Sequence, residues 1–467
     1  MQDDFEIKFG TDGWRGVISE NFTFRNVARV AQAIADYYNK ETGNQVRMAV
    51  GYDTRFLSKE YAQTVSDTLS ENGIDALLSD RAIPTPALSF TVRNKKLTAG
   101  VMVTASHNPA EYNGIKIKTS AGGAAGIEVT EEIEKLIANP SSHASCISAG
   151  QIQKVDLSQD YVRFLRSYIN LEKIKNAKFR VLVDVMHGSG NGFIGEVLKG
   201  TKIKLEFTRE EINPSFGGVR PEPVVENLKE TIQRMKKEKF DLCLVLDGDA
   251  DRIAAVAPKG EFISPQKILG LLALHLFQDR KMQGGAVKTI VGTNLIDNLT
   301  KKLGLKLYET PVGFKYISQL METEDILIGG EEAGGIGFKN YIPERDGSLA
   351  GLLLLEMMVY RKKNILKILT DMEREFGRYY YLREDLKMKN PGIDIQGLKR
   401  LKHLLGKEVA QVKDYDGVKL ICQDSSWLMF RGSGTEPIMR VYAESRSLNT
   451  SKRLIELGRR MVLGLEK

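Results

Sequence analysis

Phe240-Asp-Leu-Cys-Leu-Val-Leu246, followed at once by Asp247-Gly-Asp249-Ala-Asp251-Arg252, decides how this chain is read. The apolar run has the length and character of a buried strand and predicts one ending at Leu246. Three carboxylates at i, i+2 and i+4 repel one another. In an extended chain they would share one face; in a tight loop containing Gly248 they can converge on one point. Either arrangement calls for a cation, and hard oxygen donors suit Mg²⁺ better than a soft metal. Arg252 adds a fixed positive charge suited to an anion or phosphate. The competing reading is an acidic, solvated turn; three further loops weigh against it.

Outward from this stretch the chain alternates strand and helix, which predicts an α/β architecture with largely parallel sheets. Strands are expected at 47–50, 74–78, 98–103, 179–184, 289–292, 305–309 and 325–328, with helices at 59–72, 294–303 and 348–362. The strand ending at Val103 runs into Thr104-Ala-Ser106-His107-Asn-Pro109, a loop at the edge where open α/β sheets place ligands. After Gly377 the pattern changes to short strands with charged helices, an α+β signature. Boundaries are expected at 1–150, 151–257, 258–375 and 376–467, the first marked by the small polar stretch Asn139 to Gly150, where His143 reads as linker. His187-Gly-Ser-Gly-Asn-Gly192 lacks dinucleotide-loop spacing and reads as a tight strand-to-helix turn.

A length of 467 residues exceeds one compact core. The formal charge of +7 is mild; it would suit small anionic substrates but is equally ordinary surface composition. Basic blocks interleaved with aromatics are missing, which argues against nucleic acid. Cys146, Cys243 and Cys422 lie far apart and form no C-x-x-C pair, so a reduced cytoplasmic setting is expected, with Cys243 a small apolar filler. The acidic opening MQDDFEIKFG does not read as a signal peptide, and no apolar stretch is long enough to span a bilayer.

Three loops besides Asp247–Arg252 carry chemistry. Ser106 lies in no G-x-S-x-G elbow, so a hydrolase triad is weakly supported; once phosphorylated it would offer a metal its fourth oxygen. Gly329-Gly-Glu331-Glu332-Ala333-Gly-Gly335 sets carboxylates among glycines, where they can accept bonds from sugar hydroxyls or simply face water. Arg431-Gly-Ser433-Gly434-Thr435-Glu-Pro437 combines a guanidinium, two hydroxyls and backbone N–H groups, either a phosphate cradle or a Gly-rich hairpin.

Together with Phe9-Gly-Thr-Asp-Gly-Trp-Arg15-Gly16, these loops resemble, in order and over the whole chain, the motifs of the α-D-phosphohexomutase superfamily. The resemblance implies four domains around a central cleft: three similar mixed-sheet α/β units and a smaller C-terminal α+β domain. It implies Mg²⁺ held by Ser106, Asp247, Asp249 and Asp251, and a phosphoserine at Ser106 that exchanges its phosphoryl group with a hexose phosphate through a bisphosphorylated sugar. Arg15, Arg252 and His107 join Ser106 as catalytic candidates. Lys116, in Asn113-Gly-Ile-Lys116, matches a family lysine and is the candidate general acid/base; a surface lysine is its competing reading, with Lys118 in the same alternation. Substrate contacts fall on Gly313, Phe314, Lys315, Glu331, Ala333, Arg431, Ser433, Gly434, Thr435 and Arg440. Glucose 1,6-bisphosphate is the implied activator, hexose phosphates the partners, and a monomer or homodimer the assembly.

Thr310-Pro-Val-Gly313-Phe314-Lys315 resembles the specificity loop of glucose-directed members, although Phe314 also suits a core position at a helix start. The sugar loop departs from the frequent E-x-S-G-H pattern. Ala333 lacks a hydroxyl, costing ~1 kcal/mol if the lost bond is neutral. Gly335 stands where many members carry a His, a candidate proton carrier. These features predict a phosphoglucomutase. Phosphomannomutase or dual activity and, further off, amino-sugar phosphomutase activity are the alternatives. A non-catalytic sugar-phosphate sensor would have no need of a phosphorylatable serine.

Overall fold

The computed structural model describes residues 6–42, 45–139, 148–387, 395–432 and 438–464, with the backbone alone at 42 and 395. Two compact units emerge, one of residues 1–283 and 313–368, the other of residues 284–312 and 369–467.

The first unit contains two complete α/β sheets. One runs in the order Trp14–Val17, Tyr112–Thr119, Ala99–Val103, Arg47–Tyr52, Asp75–Ser79, Ile152–Val155. Its later members are parallel, while Tyr112–Thr119 is antiparallel to both Trp14–Val17 and Ala99–Val103. The second runs Glu261–Ile263, Ile253–Ala257, Leu242–Leu246, Arg180–Asp184, Lys204–Thr208, with parallel pairing about Arg180–Asp184 and an antiparallel edge. The unit also holds the antiparallel pair Ile326–Gly330 and Ile336–Phe338. Leu242–Leu246 is buried at every position, as a strand covered on both faces must be. The helix Ser58–Glu71 buries Tyr61, Ala62, Val65 and Leu69, the 3.6-residue stripe of a helix lying on a sheet.

In the second unit Gly285–Thr289 and Leu307–Thr310 pair in parallel. Beside them is a six-stranded antiparallel sheet in the order Tyr380–Lys387, Ile438–Ser445, Trp427–Gly432, Val418–Cys422, Lys407–Lys413, His403–Leu404. The helix Leu448–Val462 joins its core through Leu454 and Val462. The expected α/β class with mixed sheets and an α+β ending is thus present. One expected strand moves: Thr289–Gly292 closes a turn, Gly292 N–H bonding to Thr289 O at 2.7 Å, and the strand is Gly285–Thr289. Cys243 is fully buried and its thiol is pushed up by burial, as an apolar filler should be, and Cys422 is likewise buried and unbridged. Cys146 and His143 lie outside the described residues. Among the described residues no helix is long and apolar enough to cross a membrane.

Candidate active site

Ile253 lies opposite Leu246 in an antiparallel pair, so Asp247–Arg252 is a hairpin loop. Ala250, at φ 55°, takes the left-handed conformation that turns it. One carboxylate oxygen from each of Asp247, Asp249 and Asp251 lies within 4.8 Å of the others, and all three residues are fully buried. Oδ1 of Asp249 and Oδ1 of Asp251 are buried with no hydrogen-bond partner among the described residues. Buried, unpartnered anionic oxygens converging on one point are costly alone and fit a hard divalent cation. Burial, reinforced by Asp251 and Asp249, holds the Asp247 carboxyl well above the usual carboxylate range. Burial pushes Asp249 the same way, but Lys116, Thr85 and Arg345 outweigh it and hold that carboxyl below the usual range.

Ser106 follows the strand Ala99–Val103 at φ 52°, strained for a residue with a side chain, and is almost fully buried. The conformation is held on several sides. Ser106 N–H donates to Thr104 Oγ1 at 2.9 Å. The buried Arg55 donates to the carbonyls of Ser106, Asn108, Pro109 and Tyr112 at 2.6–2.9 Å. A β-carbon on Gly248 would lie 2.5 Å from Ser106 O, so glycine there lets the two loops touch. Ser106 Oγ donates to Asp247 Oδ2 at 3.1 Å across 141 residues of sequence. His107 Nδ1 lies 3.4 Å from the same hydroxyl. The expected meeting of the serine loop and the acidic triplet therefore occurs within one unit.

Lys116 and Lys118 are both buried on Tyr112–Thr119, which overturns the surface-lysine reading. Lys116 Nζ pairs with Asp12 Oδ2 at 2.8 Å and donates to Asp249 Oδ2 at 2.8 Å and Asp251 Oδ2 at 2.9 Å. Burial lowers its pKa, yet Asp12, Asp249 and Asp251 together raise it above the ordinary lysine value. Lys118 pairs with the buried Glu344. Arg15, opposite Gly114 in the sheet, donates to Asn108 Oδ1, and its pKa is lowered chiefly by burial. Arg252 N–H donates to Asp247 Oδ1 at 3.0 Å.

The loop Gly329–Gly335 packs directly on the hairpin Asp247–Arg252. Ile253 N–H bonds to Gly334 O at 3.0 Å, and a β-carbon on Gly334, already at φ 105°, would meet Ile253 O at 2.6 Å. Glu331 is nearly buried and accepts from Arg345 Nη1 at 3.0 Å. Burial pushes its carboxyl up against the pull of Arg345 and Arg252. Ala333 is half-buried. Phe314, 2% exposed at the start of the helix Phe314–Thr323, packs against Arg345, so it is a core residue as well as a loop residue. Gly313 takes φ 133°, and Lys315 shares a small recess with Phe9, Gly10, Asp12 and Gly13.

Sequence reasoning missed four contributors. Arg345 bonds through Nη2 to Asp251 at 2.7 Å and to Asp12, and through Nη1 to Glu331, and so joins the opening loop, the Asp247–Arg252 hairpin and the Gly329–Gly335 loop. Asp346 caps the helix Gly347–Arg361, accepting from Leu349 N–H at 2.8 Å, and fixes the backbone beside it. The run Glu344-Arg-Asp-Gly347 before an apolar helix was the available signal. Thr85 Oγ1 donates to Asp249 Oδ2 at 2.5 Å, and Arg55 braces the serine loop; neither stood in a motif.

In the second unit Arg431 and Arg440 are cross-strand neighbours. Arg431 Nε donates to Asp416 Oδ1 at 2.8 Å, and Arg440 Nε lies 3.7 Å from Asp385 Oδ2. Ser433, Gly434 and Thr435 lie outside the described residues.

Family models for phosphoglucomutase/phosphomannomutase match the chain three times: alpha/beta/alpha domain I over residues 6–144, domain II over 159–260 and domain III over 264–376. A phosphoglucomutase/phosphomannomutase of Thermococcus kodakarensis is 29% identical over 96% of this chain and 97% of its own length. A phosphoglucosamine mutase of Campylobacter concisus is 30% identical over 98% of this chain and 99% of its own. A solved structure from Thermus thermophilus, assigned as a phosphomannomutase, is 35% identical with a TM-score of 0.88, covering 98% of this chain and all of that one. With the acidic triplet and the serine loop joined in space, these matches place the chain in the α-D-phosphohexomutase superfamily, among enzymes of the isomerase class that move phosphate on a sugar.

Proposed function

We propose that the enzyme interconverts glucose 1-phosphate and glucose 6-phosphate through a phosphoserine at Ser106 and glucose 1,6-bisphosphate. The 3.1 Å contact of Ser106 Oγ with Asp247, at the edge of the buried triplet, is the observation that carries this reading. Asp247, Asp249, Asp251 and Ser106 would hold Mg²⁺, which when bound supplies charge neutralisation to the transferring group. A hexose phosphate presents its free hydroxyl; the hydroxyl oxygen bonds to phosphorus as the P–Oγ bond of Ser106 breaks. The proton the hydroxyl gives up ends on the departing Ser106 Oγ; in the return step Ser106 Oγ bonds to the other phosphorus as its bond to the sugar oxygen breaks, and the serine proton ends on that oxygen. Lys116, within 2.9 Å of two triplet carboxylates, is the candidate general acid/base for this exchange. Arg15 and Arg252 offset phosphate charge, and His107 orients the serine hydroxyl.

Glu331 and the loop at Gly313, Phe314 and Lys315 contact the sugar, with Ala333 giving no hydroxyl. Arg431 and Arg440 receive the phosphate that is not reacting, with Ser433, Gly434 and Thr435. Two guanidinium groups directly across a strand pair repel; Asp416 balances Arg431, but Asp385 is held by Arg383 at 2.6–2.7 Å and lies 3.7 Å from Arg440, so an anion would complete the balance. The reading keeps four functional regions at 1–150, 151–257, 258–375 and 376–467, a cytoplasmic setting, and a monomer or homodimer.

An amino-sugar phosphate is the second reading, favoured by the Campylobacter relative, which matches at an identity similar to that of the phosphoglucomutase/phosphomannomutase. A coupled assay on glucose, mannose and glucosamine 1-phosphates, primed with glucose 1,6-bisphosphate and Mg²⁺, separates them. Glucose 1-phosphate is expected to give the highest kcat/KM; a higher value for glucosamine 1-phosphate would replace the glucose assignment.

A further inference from the structure

The hairpin turn Asp414-Tyr415-Asp416-Gly417 joins Lys407–Lys413 to Val418–Cys422 in the second unit. It grips two other parts of that unit. Tyr415 Oη and Lys413 Nζ both donate to Glu309 Oε1 at 2.6 Å, on the strand Leu307–Thr310. Asp416 is divided between two bonds: Oδ2 accepts from Val312 N–H at 2.7 Å, and Oδ1 accepts from Arg431 Nε at 2.8 Å. Gly417, at φ 94°, has no β-carbon to strike Phe430 O, which would lie 2.3 Å away, so the turn can close onto the strand bearing Arg431. Val312 immediately precedes Gly313, Phe314 and Lys315 in the chain.

We propose that Asp416 is a positioning residue that ties the root of the sugar-reading loop, at Thr310–Val312, to the phosphate-reading Arg431 within the second unit. This rests on the roles given above to that loop and that arginine. The bond uses Nε and does not draw on the two terminal Nη groups, the pair a phosphate would engage. One carboxylate therefore fixes both the aim of the guanidinium and the backbone at the root of the sugar loop. Loss of that carboxylate loosens the root of the loop and the guanidinium together.

The test compares Asp416→Asn, Arg431→Lys and the double variant, each assayed with glucose 1-phosphate and mannose 1-phosphate. Asp416→Asn is expected to raise KM about tenfold, the size of one charge-assisted bond, with a smaller change in kcat, and to alter the ratio of kcat/KM between the two sugars. Arg431→Lys should raise KM for both sugars equally, and the double variant should be no worse than the more impaired single one. Asp416→Glu, which keeps the charge, should recover part of the loss; if Asp416→Asn does not fold, judged by circular dichroism, Asp416→Glu takes its place in the cycle. An unchanged sugar ratio in the position-416 variant, or losses that multiply with those of Arg431→Lys, overturns the proposal while leaving the mutase reading intact. Wild-type enzyme that turns over no hexose phosphate overturns the reading and the proposal with it.

Discussion

A β-carbon at position 335 would lie 2.1 Å from Arg345 Cδ and 3.2 Å from Glu331 Oε2. The missing side chain is therefore not a gap: Arg345 fills the space and carries its charge to Asp12, Asp251 and Glu331. Gly335→Ala is expected to push Arg345 aside and lower stability by ~1–3 kcal/mol, the usual scale for overpacking. Thermal melting checks this; an unchanged melting temperature with unchanged activity would remove the role given to Arg345. Ser106→Ala should abolish turnover with the circular dichroism spectrum intact, because the residue sits in a loop braced by Arg55; substantial residual activity would count against the serine's role. Asp249→Asn should raise the Mg²⁺ concentration needed for half-maximal rate, since it removes one of three converging carboxylates. A metal titration indistinguishable from wild type would exclude the triplet as the site.

Elements ending in chemistry were the easiest to read. The apolar run before Asp247 and the Pro109 stop after Ser106 each marked a strand running into a functional loop. The burial of Lys116 and Lys118 was not legible, because alternation along a strand names a shared face and not which face is covered. The shift of the expected strand at Thr289 to Gly285–Thr289 has a similar cause: a short β-rich run does not fix its own ends. Lys419, on Val418–Cys422, carried no signal at all, yet it is buried, donating to Ile290 O at 2.6 Å with Nζ 4.0 Å from the Trp427 ring centre. Burial, helped by Lys288 and opposed by Glu309 and Glu444, brings its pKa down to about 7. Between that value and the lysine's ordinary 10.5 the unfolded chain holds a proton that the folded unit does not. Stability of the second unit should therefore rise with pH across this window, and the burial cost should be fully present below it. Denaturation followed by Trp427 in a Trp14→Phe background is expected to show a shallower rise for Lys419→Met; equal slopes would contradict the assignment.

Across the whole molecule, the order of the loops was legible because each motif occupies a strand end. The grouping of residues 284–312 with 369–467 was not, since it depends on bonds such as Lys413 to Glu309 that leave no periodic trace. Sugar preference belongs to the same category: Phe314 is at once a core residue and a loop residue, and its sequence context alone does not separate the two uses. The groups assigned to phosphoryl transfer, from Asp12 to Arg345, all lie in the first unit, while Arg431 and Arg440 belong to the second. The central claim concerns the first of these sets, and intact-mass measurement with peptide mapping, after incubation with glucose 1,6-bisphosphate and Mg²⁺, reaches it directly. One covalent phosphate on Ser106 is expected, discharged again when a hexose monophosphate is added. Active enzyme that carries no phosphate on Ser106 at any point in that cycle would contradict it.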